Sequence, residues 1–320
     1  MNAVIRLQSR SAGPSAPQTR AFGAWTSTFY WSVRRELWEH RSIYLAPIVV
    51  AGVGLLIAGM QTLRDPQLWL SLGELMQGEQ EVGRVRYIVA AGDTTTSLIA
   101  LVGFFVGALY SLDALYGERR SRAILFWKSL PVSDRAAVLS KAGTALVVLP
   151  LVVCAIIVAT RTALLVLGSA MLMLNGFGAA PLWADGVAPI ASSHMIYGAL
   201  LLGLWCAPLC GWLLLVSAWA PSKPLLWAVI PPCLLVFAER VTLGSSHISE
   251  LLLRENSSPV VSILLHEVHF QDWSLPILQF SVAASEPPRF LGEVEMWGGL
   301  AVAALFLFGA AWLRRRAEPI

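Results

Sequence analysis

Charge is what this 320-residue sequence has least of. Asp, Glu, Lys and Arg together fill 13% of its positions, where soluble chains carry about 25%. So few charges cannot cover the surface of soluble domains, which excludes two water-soluble units in series. Cysteine is also scarce, and Cys154, Cys206, Cys210 and Cys233 all fall in apolar runs. A disulfide framework is therefore excluded, and the four read as small buried hydrophobes. The sequence holds no G-x-x-x-x-G-K-[ST] phosphate loop and no G-x-S-x-G elbow, so it carries no ATPase and no hydrolase nucleophile of those types. Its first twenty residues have no continuous apolar core of the kind a signal peptide needs.

Hydrophobicity stands in place of charge. Residues of the set AVILMFWYC make up 56% of the chain. A helix needs about 20 apolar residues to cross the hydrocarbon core, and five runs qualify directly: Ile43 to Leu63, Thr94 to Tyr116, His194 to Ala220, Pro224 to Leu243 and Met296 to Leu313. The run from Ala142 to Ala180 is longer and could be one helix or two folded at Thr160-Arg161-Thr162. That point offers no Gly, Pro, Asn or Asp for a hairpin, which favours one helix. Arg161 then lies one crossing length beyond Ala142, at the outer interface, and 163–180 is a helical extension or a re-entrant segment.

Basic residues collect on the cytoplasmic side of short loops. With six spans and both termini inside, sixteen of the twenty-three Lys and Arg residues fall on inner segments. Seven spans would put Arg314, Arg315 and Arg316 outside. The expected fold is therefore an all-α integral membrane protein of six transmembrane helices, with residues 43–320 forming the membrane domain. Residues 1–21 read as a disordered cytoplasmic tail. Residues 22–42 read as an interfacial helix, because Trp25, Phe29, Val33 and Leu37 recur every fourth residue, although Glu36 interrupts the stripe. Residues 244–295 form the largest outer loop. Asp93 is expected to cap the second span, Asp113 to pair with the basic loop that follows, and Pro231-Pro232 to kink the fifth span.

Candidate chemistry is sparse. His266, Glu267 and His269 suggest a metal site or an intramembrane enzyme, but the histidines are three apart, where the zinc protease motif needs four. Loop packing explains them better. A membrane scaffold without transport is a further alternative. Cys206 and Cys210 have helical i, i+4 spacing without an accompanying His or acid.

The segment 117–135, GERRSRAILFWKSLPVSDR, concentrates basic residues between spans two and three. As plain topology anchors, Arg119, Arg120, Arg122 and Lys128 satisfy the charge rule. The form asks for more: Ala123 to Leu130 is a short helix-capable run stopped by Pro131, and Ser133 or Asp134 can cap the next helix. Ile124, Phe126 and Trp127, rimmed by arginine, suit a plug in a groove on a partner protein.

The stretch LYGERRSRAILFWKSLPVSDRAAVLSK, Leu115 to Lys141, resembles the coupling segment of permease subunits in ATP-binding-cassette exporters of the second type. GWLLLVSAWAPSKPLLWAVIPP, Gly211 to Pro232, is similar to the same group. The resemblance implies a half-transporter in a bacterial inner membrane. A second permease copy or paralogue would pair with it, and separate ATPase subunits would bind the ATP, leaving this chain with no cofactor. It implies an ATPase-coupling interface of Glu118, Arg119, Arg120, Arg122, Ile124, Phe126, Trp127, Lys128 and Asp134, with Ser222-Lys223 as a smaller second contact. Ser121 departs from the family pattern, which has an acidic residue there. No nucleic-acid partner is implied, and the spans hold few ionisable residues, which leans toward an apolar or amphipathic cargo.

Overall fold

The computed structural model describes residues 31–64, 82–123, 133–183, 203–242 and 294–316, which are helical or in turns, with no strand among them. A short helix, α1, covers 31–39 and ends at His40, after which the chain restarts as α2 (Ser42–Arg64). Then follow α3 (Val82–Asp113), the one-turn α4 (Tyr116–Arg120) and α5 (Asp134–Leu174). The series ends with α6 (Ala207–Trp219), α7 (Pro224–Thr242) and α8 (Val294–Arg316). Five stretches are long and apolar enough to cross a membrane: Ser42–Arg64, Thr95–Arg120, Asp134–Leu174, Pro224–Thr242 and Met296–Arg316. The shorter apolar α6 occupies part of the expected span from His194 to Ala220. The chain is thus an all-α, multi-pass membrane protein.

The long run is one helix. Thr160 and Thr162 do not turn the chain; their hydroxyls donate to the Ile156 and Val158 carbonyls one turn back, at 2.7 and 2.8 Å. The helix runs on to Leu174, so Ala163 to Leu174 is a helical extension. At 41 residues and 1.5 Å per residue it is roughly 60 Å long, about twice the hydrocarbon core. It stops where Gly176 takes a φ of +83°. The Phe177 N–H donates to the Leu172 carbonyl at 2.9 Å and the Gly176 N–H to the Met173 carbonyl at 3.1 Å, the paired bonds of a Schellman cap. Trp183 in the following 3₁₀ turn (Ala180–Trp183) folds back, its Nε1 donating to Ser169 Oγ at 2.8 Å.

Near its start α5 widens into a π turn at Thr144–Val148. Pro150 explains this: it has no N–H for the Leu146 carbonyl, and its ring crowds that oxygen in α geometry. Gly203 packs against the same carbonyl so closely that a methyl group there would overlap it.

In the bundle, α2, α3 and α5 pack on one another, and α6 packs most extensively on α8. Contact of α3 with α6 joins the two groups around a core that includes Ile43, Ile99, Tyr110, Leu149, Val153, Leu214 and Ala310. The α6–α8 seam is lined by small residues; a Cβ on Gly211 would stand 3.2 Å from the Ala303 carbonyl. Lipid supplies no hydrophobic drive between helices, so this close approach maximises dispersion contact.

One expectation fails here. Asp93 lies inside α3, well beyond its first residue Val82, and cannot be its N-cap. The apolar run marks where a helix enters lipid, whereas the helix itself begins earlier. Pro231 and Pro232 both sit within α7, which is continuous from Pro224 to Thr242.

Candidate functional site

A cluster of described charges lies at one end of the bundle, where α1, the end of α3, α4, the start of α5 and the end of α8 meet. Glu36 of α1 is fully buried and Lys141 of α5 is 2% exposed. The Lys141 ammonium stands 2.9 Å from Glu36 Oε1 and 3.2 Å from Glu118 Oε1. Glu118 in turn meets Arg314 Nη1 of α8 at 2.9 Å, and Arg314 Nε reaches Asp134 Oδ1 at 3.2 Å. A chain of alternating charge thus runs Glu36, Lys141, Glu118, Arg314, Asp134, through four helices that are distant in sequence. Tyr110 of α3 donates its hydroxyl to Glu36 Oε2 at 3.1 Å, and Arg35 Nη2 lies 3.1 Å from Oε1.

Burial pushes the Glu36 carboxyl up, but Lys141 by charge and hydrogen bond, Arg35 by charge and Tyr110 by hydrogen bond outweigh it and hold it below its ordinary value of 4.5. Glu36 is ionised at neutral pH. Ions taken from water survive only where each is paired and bonded, and here each acid has at least one cation. Glu36, Glu39 and His40 also lie close enough to offer ligands to one metal ion. The Lys141 ammonium already sits against the Glu36 carboxylate, so the group is neutralised from within the protein.

A second tie holds α4. The Leu115 and Tyr116 N–H groups donate to the buried Ser217 Oγ of α6 at 3.0 and 2.9 Å. Arg119 Nη1 donates to the carbonyls of Ala218 and Ala220 at 2.9 and 3.1 Å. These are C-terminal carbonyls of α6, without partners in the helix ladder and at the negative end of its dipole, so a guanidinium satisfies them twice over. Helix α4 closes with Ser121, whose hydroxyl donates to the Gly117 carbonyl at 2.7 Å. Arg122 follows at a φ of +57°.

The segment 117–135 is therefore anchored at both ends. Glu118 is in the charge chain, Arg119 grips α6, and Arg120 and Arg122 are exposed. Ser133 caps α5, its Oγ accepting from the Ala136 N–H at 3.2 Å, and Asp134 opens that helix. Ile124, Phe126, Trp127 and Lys128 lie outside the described residues, as do His266, Glu267 and His269. Lys223 is exposed with a φ of +47°, in the turn that follows the carbonyls Arg119 holds. The two sequence-predicted contact segments thus share one end of the bundle. Asp113 Oδ2 lies 3.9 Å from His40 Nε2, on the α1 side.

Sequence reasoning missed the roles of Glu36, Lys141 and Arg314. Glu36 had one local signal, its interruption of an apolar stripe. The sequence model of the family described as ABC-2 family transporter protein matches residues 33–273. No curated protein and no solved structure matches the chain.

Proposed function

The chain belongs to the ABC-2 transporter family as a membrane permease of an ABC transporter, and from that premise we propose that it serves an exporter driven by a separate ATPase docking on 117–134. In this reading both termini and the charged end of the bundle face the cytoplasm, six helices span a bacterial inner membrane, and two permeases pair. Residues 1–21 form a tail, 22–42 an interfacial helix and 244–295 an outer loop. Ile124, Phe126 and Trp127 seat in a groove of the ATPase, with Arg120, Arg122 and Lys128 on its rim and Lys223 as a second contact.

The observation that carries this reading is the double anchoring of the loop's base. Glu118 is bonded into α5 and α8, and Arg119 into α6. A lever works only if its fulcrum is stiffer than its tip. Movement imposed on the loop by ATP binding reaches helices on both sides of the bundle through short charged contacts. ATP is bound and hydrolysed by the partner, and this chain supplies no catalytic residue.

The test is Trp127→Ala in the assembled transporter. Truncation of a buried aromatic anchor costs about 2 kcal/mol or more at a binding hot spot, roughly thirtyfold in affinity. The expected result is normal abundance in the membrane, weak ATPase retention on purification and lost transport-coupled hydrolysis. Full ATPase retention and full transport would reduce the segment to an orientation anchor.

A further inference from the structure

The charge chain takes up the buried and half-buried acids of this end of the bundle. Glu36, Glu118 and Asp134 are each paired inside it, and Glu39 lies 3.4 Å from Arg35 Nε. Apart from Glu39, the exposed charged and large side chains of α1 and of the end of α8 are basic and aromatic. Trp31, Arg34 and Trp38 recur at i, i+3 and i+7, which places them along one face of α1. Trp31 and Trp38 are 59% and 69% exposed, while Glu36 points into the protein. The Arg34 guanidinium carbon stands 5.1 Å from the Trp31 ring centroid. Trp312 and Arg316, i and i+4 on α8, repeat the pairing at 3.9 Å, with Trp312 45% exposed.

We propose that these two Trp–Arg pairs are headgroup sites for anionic phospholipid of the leaflet at this end of the bundle. Tryptophan rings sit at the headgroup level of a bilayer, apolar body inward and indole N–H toward water. Stacking on the ring uses the face of the guanidinium, whereas bidentate bonding of a phosphate uses its edge, so one arginine satisfies both together. Arg34 and Arg41 flank the entry of α2, and Arg316 ends α8, so each pair lies beside a membrane-crossing helix. The exposed charge is predominantly positive, with Arg34, Arg41, Arg120, Arg122, Arg315 and Arg316 against Glu39 and Asp113, which favours an anionic headgroup over a zwitterionic one. This assignment uses the inner orientation of the proposed function but not its ATPase, and the two fail separately.

The experiment reconstitutes the full chain in mixed vesicles of phosphatidylcholine and phosphatidylglycerol at equal fractions, with bromine on the acyl chains of one lipid or the other. Bromine quenches nearby tryptophan fluorescence, and subtraction of a Trp31→Phe/Trp38→Phe/Trp312→Phe variant isolates the three rings. The expected result is stronger quenching when the label is on phosphatidylglycerol. Arg34→Gln with Arg316→Gln should lower that preference by roughly fivefold at each site, the effect of one arginine at an anionic surface. Equal quenching by the two labels in the unmutated chain overturns the proposal, and so does no quenching by either, which would mean that protein covers the rings. A preference unchanged in the arginine variant overturns it as well. ATPase retention by that variant reads the other hypothesis independently.

Discussion

Replacing Lys141 by methionine tests the charged end of the bundle most directly. The substitution keeps the length and apolar stem of the side chain and removes only the ammonium. Glu36 is fully buried and loses its contact at 2.9 Å, while Arg35 and Tyr110 remain at 3.1 Å each. Breaking a buried pair by removing one partner typically costs 3 to 5 kcal/mol. The two surviving contacts set the expectation at the low end, about 3 kcal/mol. Glu118 adds little, since Arg314 still holds it at 2.9 Å. In the double variant Glu36→Gln/Lys141→Met no charge is stranded, and replacing a buried pair by neutral groups is often close to neutral. Most of the loss should return. The assay is the thermal unfolding midpoint of the purified chain, with the two single variants and the double variant closing a cycle.

The same set gives a pH signature. In the native protein the Glu36 carboxyl lies below 4.5, so its pairing contributes stability that is present above the unfolded value and is lost as pH falls through the folded one. Without Lys141 burial prevails and the carboxyl moves up, so the variant is penalised at neutral pH and relieved as acid protonates it. The gap between native and Lys141→Met protein should therefore narrow from pH 7.5 to pH 5.5. A single variant as stable as the native protein, or a gap that widens in acid, refutes the reasoning.

Three further outcomes are expected, two from the structure and one from the proposed topology. Ser217→Ala leaves the buried Leu115 and half-buried Tyr116 N–H groups without their acceptor and should cost about 1 to 3 kcal/mol, read as a lower unfolding midpoint. Gly203→Ala drives a methyl into the Leu146 carbonyl and should reduce membrane abundance, whereas Gly52→Ala, with open space around it, should not. Single cysteines at Glu79, Ser192 and Glu286 should label from outside and at Ser129 and Ala317 from inside; Ala317 outside with Ser129 inside would overturn the six-span topology.

How much of this was legible depends on the range of the physics. Entry of α2 into lipid was visible at Ile43 because hydropathy is a local sum, and α5 was visible as one helix because Thr160 to Thr162 lack turn chemistry. The cap of α5 was legible to within two residues, Ser133 or Asp134, for the same reason, since Ser133 needs only its own hydroxyl and the Ala136 N–H. Asp93 misled because a polar cluster at the edge of an apolar run has the look of a cap, while α3 had already begun at Val82. The charge chain was illegible in a different way. Glu36 and Lys141 are 105 residues apart, and Asp134 and Arg314 are 180 apart. No spacing rule links such positions, and the same basic residues satisfied the topology rule so well that nothing further was asked of them.

That double satisfaction explains why the charges suit coupling better than apolar packing would. An apolar seam between α1, α5 and α8 would be at least as stable, since buried ion pairs contribute little net stability over hydrophobic residues of similar size. It would also tolerate sliding, because dispersion contacts are non-directional and each is weak. A chain of alternating charge with contacts of 2.9 to 3.2 Å has one register. Shifting Glu118 relative to Lys141 strands charge at both neighbours, so α4 cannot move without carrying the starts of α5 and the end of α8. Arg119 extends the constraint to α6, since its two bonds break if α4 rotates away from Ala218 and Ala220. Under the proposed coupling, a push at the loop is then delivered to α5, α6 and α8 together. Arg119→Lys separates this from simple docking: lysine keeps the charge but, as a flexible point charge, holds both carbonyls less firmly. It should leave the ATPase bound and uncouple hydrolysis from transport; loss of the ATPase itself would show that Arg119 belongs to the docking surface and not to the fulcrum.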